Sequence, residues 1–148
     1  MSSSVRVAAS GAAEGASFSP ARLLQLGGLA MVASLVSVLV IRAVAVTVVD
    51  VPSVFSPLNL SDTLTLTALG VAGAVIACLG LNAFAKRPVR TFRAVAWVVL
   101  LISFAPDISI WAMHSYSHSA RAATVIPLLI MHLAVGLICL VLLPRATR

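Results

Sequence analysis

Charge is what this sequence has least of. Only 9% of its 148 residues are Asp, Glu, Lys or Arg, whereas a water-facing domain carries about 25%, so a globular surface in water cannot be built from this chain. Acids are the scarcest, with Glu14, Asp50, Asp62 and Asp107 making up the full set. No two carboxylates are spaced as a catalytic pair, and there is neither a glycine-rich phosphate loop nor a nucleophile elbow. These gaps remove the common signatures of soluble enzymes. Cysteine is scarce too: Cys78 and Cys139 stand apart inside apolar runs. Without a Cys-x-x-Cys pair they give no thiol-oxidoreductase motif, and they read as small buried hydrophobes.

Apolar residues fill the space that charge leaves. They make up 61% of the chain, and the mean hydropathy is +1.12. The net charge of +6 and the pI near 11.2 invite a nucleic-acid reading. The ten Lys and Arg residues lie almost entirely between apolar runs, as membrane anchors do, so no nucleic acid is expected as a partner. Four apolar segments stand out, at residues 23–49, 64–85, 94–113 and 122–143. Each reaches the roughly 20 residues a helix needs to cross about 30 Å of hydrocarbon. Backbone in lipid must satisfy its own hydrogen bonds, which favours helices. A β-barrel would show alternating strands of about ten residues, and these runs are continuously apolar. The expected fold is an all-α membrane protein, a four-transmembrane-helix bundle spanning 20–148. Residues 1–19, rich in Ser, Ala and Gly, have the composition of a disordered tail. Ala43-Val44-Ala45 resembles a signal-peptidase site, but the apolar run before it, residues 23–41, exceeds the 7–15 residues of a signal core. The first segment is therefore expected to be retained.

Cations between the runs set the orientation. The link Lys86-Arg87-Pro88-Val89-Arg90-Thr91-Phe92-Arg93 has four cations and no acid, and Arg6, Arg22, Arg145 and Arg148 fall on the same side. The opposite side has Asp50, Asp62 and Arg121. Eight cations against one place both termini and the basic link in the cytoplasm, for a multi-pass protein of the cell membrane. Trp97 falls near the inner interface, and Trp111 and Tyr116 near the outer one, as aromatic belts do.

Ionisable groups inside a span cost about 2.5–3.5 kcal/mol each at the bilayer centre, so each needs a reason. Asp107 is the only acid within a span; it lies about 21 Å up from Arg93 along its helix. His132 lies about 15 Å down from Ala122 on the next helix, at a similar depth. Arg42, about 30 Å above Arg22, reaches the outer rim, where it can snorkel. Arg42, Asp107 and His132 thus form a candidate intramembrane polar cluster. As a relay, Asp107 and His132 would exchange a proton near neutral pH. As a structural device, Asp107 would pair with Arg42 or His132 and hold the helices in register. With one acid, one histidine and no second acid to pass a proton onward, the structural role is favoured.

Other features carry weaker signals. Gly70, Gly73, Ala74, Ala77 and Gly80 fall mostly on one face of the second helix, where small side chains let backbones approach. That face suits a dimer interface or, with better odds in a four-helix chain, contact inside the bundle. His114 and His118 stand at i and i+4, but no Glu lies between them, and a zinc site takes three or four protein ligands. A solvated serine-rich loop is expected there, and no metal. The link 51–60, broken by Pro52 and Pro57, is expected along the lipid interface, with Ser61 or Asp62 capping the second helix.

Several of these stretches resemble a family of small bacterial four-span membrane proteins known only as a domain of unknown function. The similar residues are Arg42-Ala43, residues 51–58, Arg87-Pro88-Val89-Arg90-Thr91-Phe92-Arg93, Ser103-Phe104-Ala105-Pro106-Asp107-Ile108 and Met131-His132. The resemblance implies the same topology and the same polar residues, and it implies no activity. The expected role is structural or accessory, without catalysis or cofactor. The lipid bilayer is the expected partner, together with further copies in a homo-oligomer or a larger membrane complex. The alternative is a small oligomeric transporter or proton-coupled channel built on Arg42, Asp107 and His132.

Orientation is directly testable. In a background lacking Cys78 and Cys139, Ser117→Cys is expected to react with an impermeant thiol reagent in intact cells, and Thr91→Cys is not. The reverse pattern would invert the topology.

Overall fold

The computed structural model describes residues 17–48, 59–112 and 118–147, with the side chains of 48, 110–112 and 118–124 left out. The first sixteen residues, the 51–58 link, Tyr116 and His114 lie outside that set, and Trp111, His118 and Arg121 are described in their backbone alone. Among the described residues the fold has four helices, α1 (Pro20–Val48), α2 (Leu60–Phe84), α3 (Pro88–Ala112) and α4 (His118–Leu142), followed by a 3-10 turn at Leu143–Ala146. All four are long and apolar enough to cross a bilayer, and the chain is a multi-pass membrane protein.

Local chemistry sets the helix ends. Pro20 opens α1 and Pro88 opens α3, where the missing N–H costs nothing and the fixed φ already suits a helix. The Leu23 N–H donates to the Ser19 carbonyl at 2.8 Å. Before α2, Asn59 is extended and takes the N-cap position without a side-chain cap bond. Ser61 and Asp62, expected as caps, are instead inside the first turn, where the Asp62 charge favours the helix dipole. The basic link is shorter than its sequence suggests. Ala85 leaves the helix with its N–H still bonded to Leu81 at 2.8 Å, and α3 starts at Pro88. Val89 and Phe92 thus belong to the first turns of α3 and are buried, while Lys86, Arg87, Arg90 and Arg93 stay exposed.

Only 22%, 11%, 17% and 28% of the most apolar window of each helix is buried within the chain. Leu24, Leu29, Leu66, Ile76, Leu101 and Val141 point outward instead. Water would penalise such a surface heavily, and hydrocarbon does not. In the bundle, α4 packs against both α1 and α3, and α1 also packs against α2. Direct contact between α2 and α4 is slight, which leaves a trough along the α2–α3 seam.

The larger core cluster gathers at the basic end and joins Phe18, Leu23, Val71, Cys78, Phe92 and Leu143. Phe18 corrects the expectation for the tail: with Ser19 it lies inside the fold. Its ring is fully buried, edge-on to Phe92 at 6.3 Å. The Phe18 N–H donates to Asn82 Oδ1 at 2.9 Å, and the Asn82 amide donates back to the Phe18 carbonyl at 3.2 Å. The Ser19 N–H donates to the Ala146 carbonyl at 2.8 Å, and Phe18 forms a β-bridge with Thr147. The chain entering α1 and the chain leaving α4 therefore meet at one end of the bundle.

Close helix approach comes from glycines outside the predicted small-residue face. A Cβ on Gly27 of α1 would sit 2.7 Å from a Val75 methyl, and one on Gly136 of α4 would sit 2.7 Å from a Leu100 methyl. At Gly70, Gly73 and Gly80 an added Cβ meets nothing within 4 Å. The expectation that these glycines pack inside the bundle is thus corrected: lacking bulk, they leave space. Gly27→Ala is expected to cost about 1–3 kcal/mol, because Val75 is stiff at χ1 and cannot yield cheaply. Gly136→Ala should cost less, since Leu100 ends in a flexible group, and Gly73→Ala should cost nothing measurable. Thermal unfolding in detergent reads the order, and a Gly73 variant as damaged as the Gly27 variant would refute it.

Candidate intramembrane site

Proline breaks the ladder on both helices that carry the polar pair. Pro106 lies within α3 and Pro127 within α4. Each lacks an N–H and so leaves the carbonyl four residues earlier without its helical donor. Hydroxyls nearby turn onto the backbone of their own helix: Ser103 Oγ donates to the Leu100 carbonyl at 2.7 Å and Ser109 Oγ to the Pro106 carbonyl at 2.6 Å.

Asp107 follows Pro106 and points into the bundle, with only 3% of its surface exposed. His132 on α4 brings Nδ1 to 3.1 Å from Asp107 Oδ2. The same Nδ1 lies 2.9 Å from the Leu128 carbonyl, one turn earlier on α4. Both neighbours are acceptors, so Nδ1 carries the hydrogen. Its direction favours Leu128; Asp107 Oδ2 is within ion-pair reach but has no hydrogen-bond donor among the described residues. A small rotation of the imidazole would move the same hydrogen onto the carboxylate. Phe104 stands edge-on to the imidazole at 6.3 Å and limits that rotation from the α3 side.

The sequence-predicted cluster is thus brought together in part. Asp107 and His132 form the pair, whereas Arg42, half-buried on α1, is not in the described contact set of Asp107.

Beside the pair lies a cleft of about 650 Å³ between α2 and α3, with α4 as its floor. Its α2 wall includes Gly70, Gly73, Ala74 and Ala77. Gly70 and Gly73 are exposed, and Ala74 also touches the core cluster. Exposed Leu66, Leu69 and Val99 flank the mouth, so it opens sideways toward lipid. His132 lines the end near Thr63 and Pro106, and its side chain is 38% exposed. Four of the five small residues expected on one face, Gly70, Gly73, Ala74 and Ala77, thus line a cleft, and Ala74 also makes the expected contact inside the bundle. Sequence reasoning missed Asn82, a lone amide near the end of an apolar run, and Phe18, an aromatic two residues before a helix-opening proline. Both signals were visible.

Cys78 and Cys139 are buried free thiols in one core cluster. No group of three or more metal-binding side chains occurs among the described residues.

Ser34, midway along α1, is fully buried, and its hydroxyl has no hydrogen-bond partner among the described residues. Ser34→Ala is expected to be neutral or to stabilise the protein by up to about 1 kcal/mol, because it removes a buried unsatisfied group. A clear loss of thermal stability would mean that the hydroxyl is satisfied in the bilayer.

Comparison with curated proteins and with solved structures gives no match. A family match covers residues 18–148, beginning at the buried Phe18 and containing all four helices, the Asp107–His132 pair and the cleft. The chain belongs to the Family of unknown function (DUF6069).

Proposed function

We propose that this protein is a structural or accessory component of the cell membrane, without catalysis, in which Asp107 and His132 clamp α3 to α4. The observation that carries this reading is the 3.1 Å approach of Nδ1 to the buried carboxylate. It spans two helices whose ladders are each interrupted by a proline, where cohesion within the helix is weakest. A buried polar pair is best attested as a device that sets register, and in lipid the register between helices has no hydrophobic force to specify it. The lipid bilayer is the partner, with further copies or a larger membrane complex around the exposed apolar faces. The termini and the basic link between α2 and α3 face the cytoplasm, as their cations favour.

A second reading, a small oligomeric transporter or proton-coupled channel, draws support from one feature: His132 touches both the carboxylate and the cleft. A carboxylate beside an imidazole can pass a proton, but a path through the membrane would then need further copies to enclose it.

A double-mutant stability cycle tests the clamp. Asp107→Asn preserves shape, and His132→Phe preserves ring volume. The two are expected to couple by about 0.5–3 kcal/mol, as groups in direct contact do. Asp107→Asn with Arg42→Gln is expected to be additive within about 0.5 kcal/mol. Additive losses for Asp107 with His132 would remove the clamp. In reconstituted vesicles no proton flux is expected, and a flux abolished by Asp107→Asn would favour the second reading.

A further inference from the structure

A cavity in a membrane bundle is filled by whatever apolar matter surrounds it unless its walls select an occupant. The α2–α3 cleft has the features of a selective wall. Its volume of about 650 Å³ falls within the roughly 300–1,000 Å³ of small-molecule sites. It runs from Thr63 to Ala77 on α2 and from Phe92 to Pro106 on α3, about 21 Å along each helix at the helical rise. A trough of that length suits an elongated chain better than a compact ring system. The glycines of α2 keep it open, since no neighbour occupies the space where their side chains would be.

Polarity is confined and directional. Thr67 Oγ1 donates to the Thr63 carbonyl at 2.7 Å, and Ser103 Oγ donates to Leu100; both hydrogens are spent on their own helices. The imidazole of His132 differs. Its Nδ1 hydrogen faces the Leu128 carbonyl and the Asp107 carboxylate, which leaves Nε2 as the other polar atom of a side chain that lines the cleft. None of the described hydrogen bonds uses Nε2. In the neutral ring Nε2 is an acceptor, and in the charged ring it is a donor. A hydroxyl group complements both states. The pair lies toward the end of the cleft away from the basic link, still within the span, where a charged phospholipid head would be strongly disfavoured and a neutral one tolerated.

We infer that the α2–α3 cleft binds a membrane-resident long-chain alcohol, its apolar chain along the glycine wall of α2 and its hydroxyl on His132 Nε2, with Asp107 fixing the imidazole from behind. Asp107 acts here as a positioning residue at ion-pair distance, beside the Leu128 carbonyl that takes the Nδ1 hydrogen and so sets the tautomer. This goes beyond the clamp reading and fails separately from it, because the stability cycle is measured without ligand.

The test uses the full chain in phosphatidylcholine nanodiscs with a diazirine-bearing hexadecanol as the photoprobe and mass-spectrometric mapping of adducts. Adducts are expected on cleft residues such as Leu66 and Val99, in excess over the outward face of α1 at Leu29. Hexadecanol should compete roughly three- to tenfold better than hexadecane, the worth of one uncharged hydrogen bond. Gly73→Leu, which fills the trough from a helix that carries no part of the polar pair, should abolish cleft labelling while the protein keeps its thermal stability. His132→Phe should keep the labelling and lose the preference for alcohol over alkane. Equal labelling of Leu29 and the cleft would show bulk lipid only and overturn the inference. Equal competition by hexadecane would remove the hydroxyl contact. A cleft protected from the probe, in particles with the mass of a dimer, would identify a second copy of the chain as its occupant instead.

Discussion

Hydrocarbon offers no hydrogen bonds, and that constraint organises the whole molecule. Each peptide group within the bilayer must find its partner inside the chain, which is why the described spans are helical and why departures from the ladder cluster around Pro106 and Pro127. Side chains obey the same rule. Thr67, Ser103 and Ser109 turn their hydroxyls onto their own helices. Asn82 exchanges two hydrogen bonds with Phe18, and Asp107 meets His132. What distinguishes Asp107 from the rest is that its partner is on another helix. Local bonding leaves each helix free to slide against its neighbours, whereas a pair between helices fixes them.

The spans were legible because their signal is thermodynamic and long: some twenty consecutive apolar residues have few other uses. Their ends were less legible. Leu60, Ser61 and Pro88 are helical although the apolar runs begin later, since proline and an acidic first turn nucleate helix outside the hydrophobic run. The Asp107–His132 pair followed from depth arithmetic on adjacent helices, and one acid left few alternatives. Arg42 did not follow, because depth says nothing about which faces meet. The glycines failed for a related reason. A stripe such as Gly70, Gly73 and Ala77 shows where bulk is missing, but contact requires a neighbour to move into the gap, and no periodicity reports whether one does. Gly27, which does meet a side chain at 2.7 Å, stands in a shorter small-residue row with the buried Ala30 and Ser34, and Gly136, which meets another at 2.7 Å, has no such row.

Phe18 and Asn82 add a second organising contact at the basic end. Burying Phe18 takes its backbone N–H and carbonyl out of reach of water as well as its ring, and Asn82 supplies both donor and acceptor. With the Ser19–Ala146 bond, this closes α1, α2 and the end of α4 into one unit. Toward the opposite end, the described contacts include the Asp107–His132 pair and a smaller apolar cluster of Val38, Leu128 and Met131.

The same solvent explains how a cleft of this size can persist. In water an apolar trough between two helices would close, because burial of its walls would be strongly favourable. In lipid the walls gain little by meeting each other, since acyl chains wet them equally well. α2 and α3 meet in the core cluster around Cys78 and Phe92, but along the cleft the α2 wall of glycine and alanine gives α3 little to interlock with. Bulk at Gly73 would fill the trough without disturbing the packing of α1 on α2, which depends on Gly27 and Val75. The same small residues that would shorten a helix contact elsewhere here lengthen the distance between helices, and they leave His132 as the polar landmark at the far end of an otherwise apolar groove.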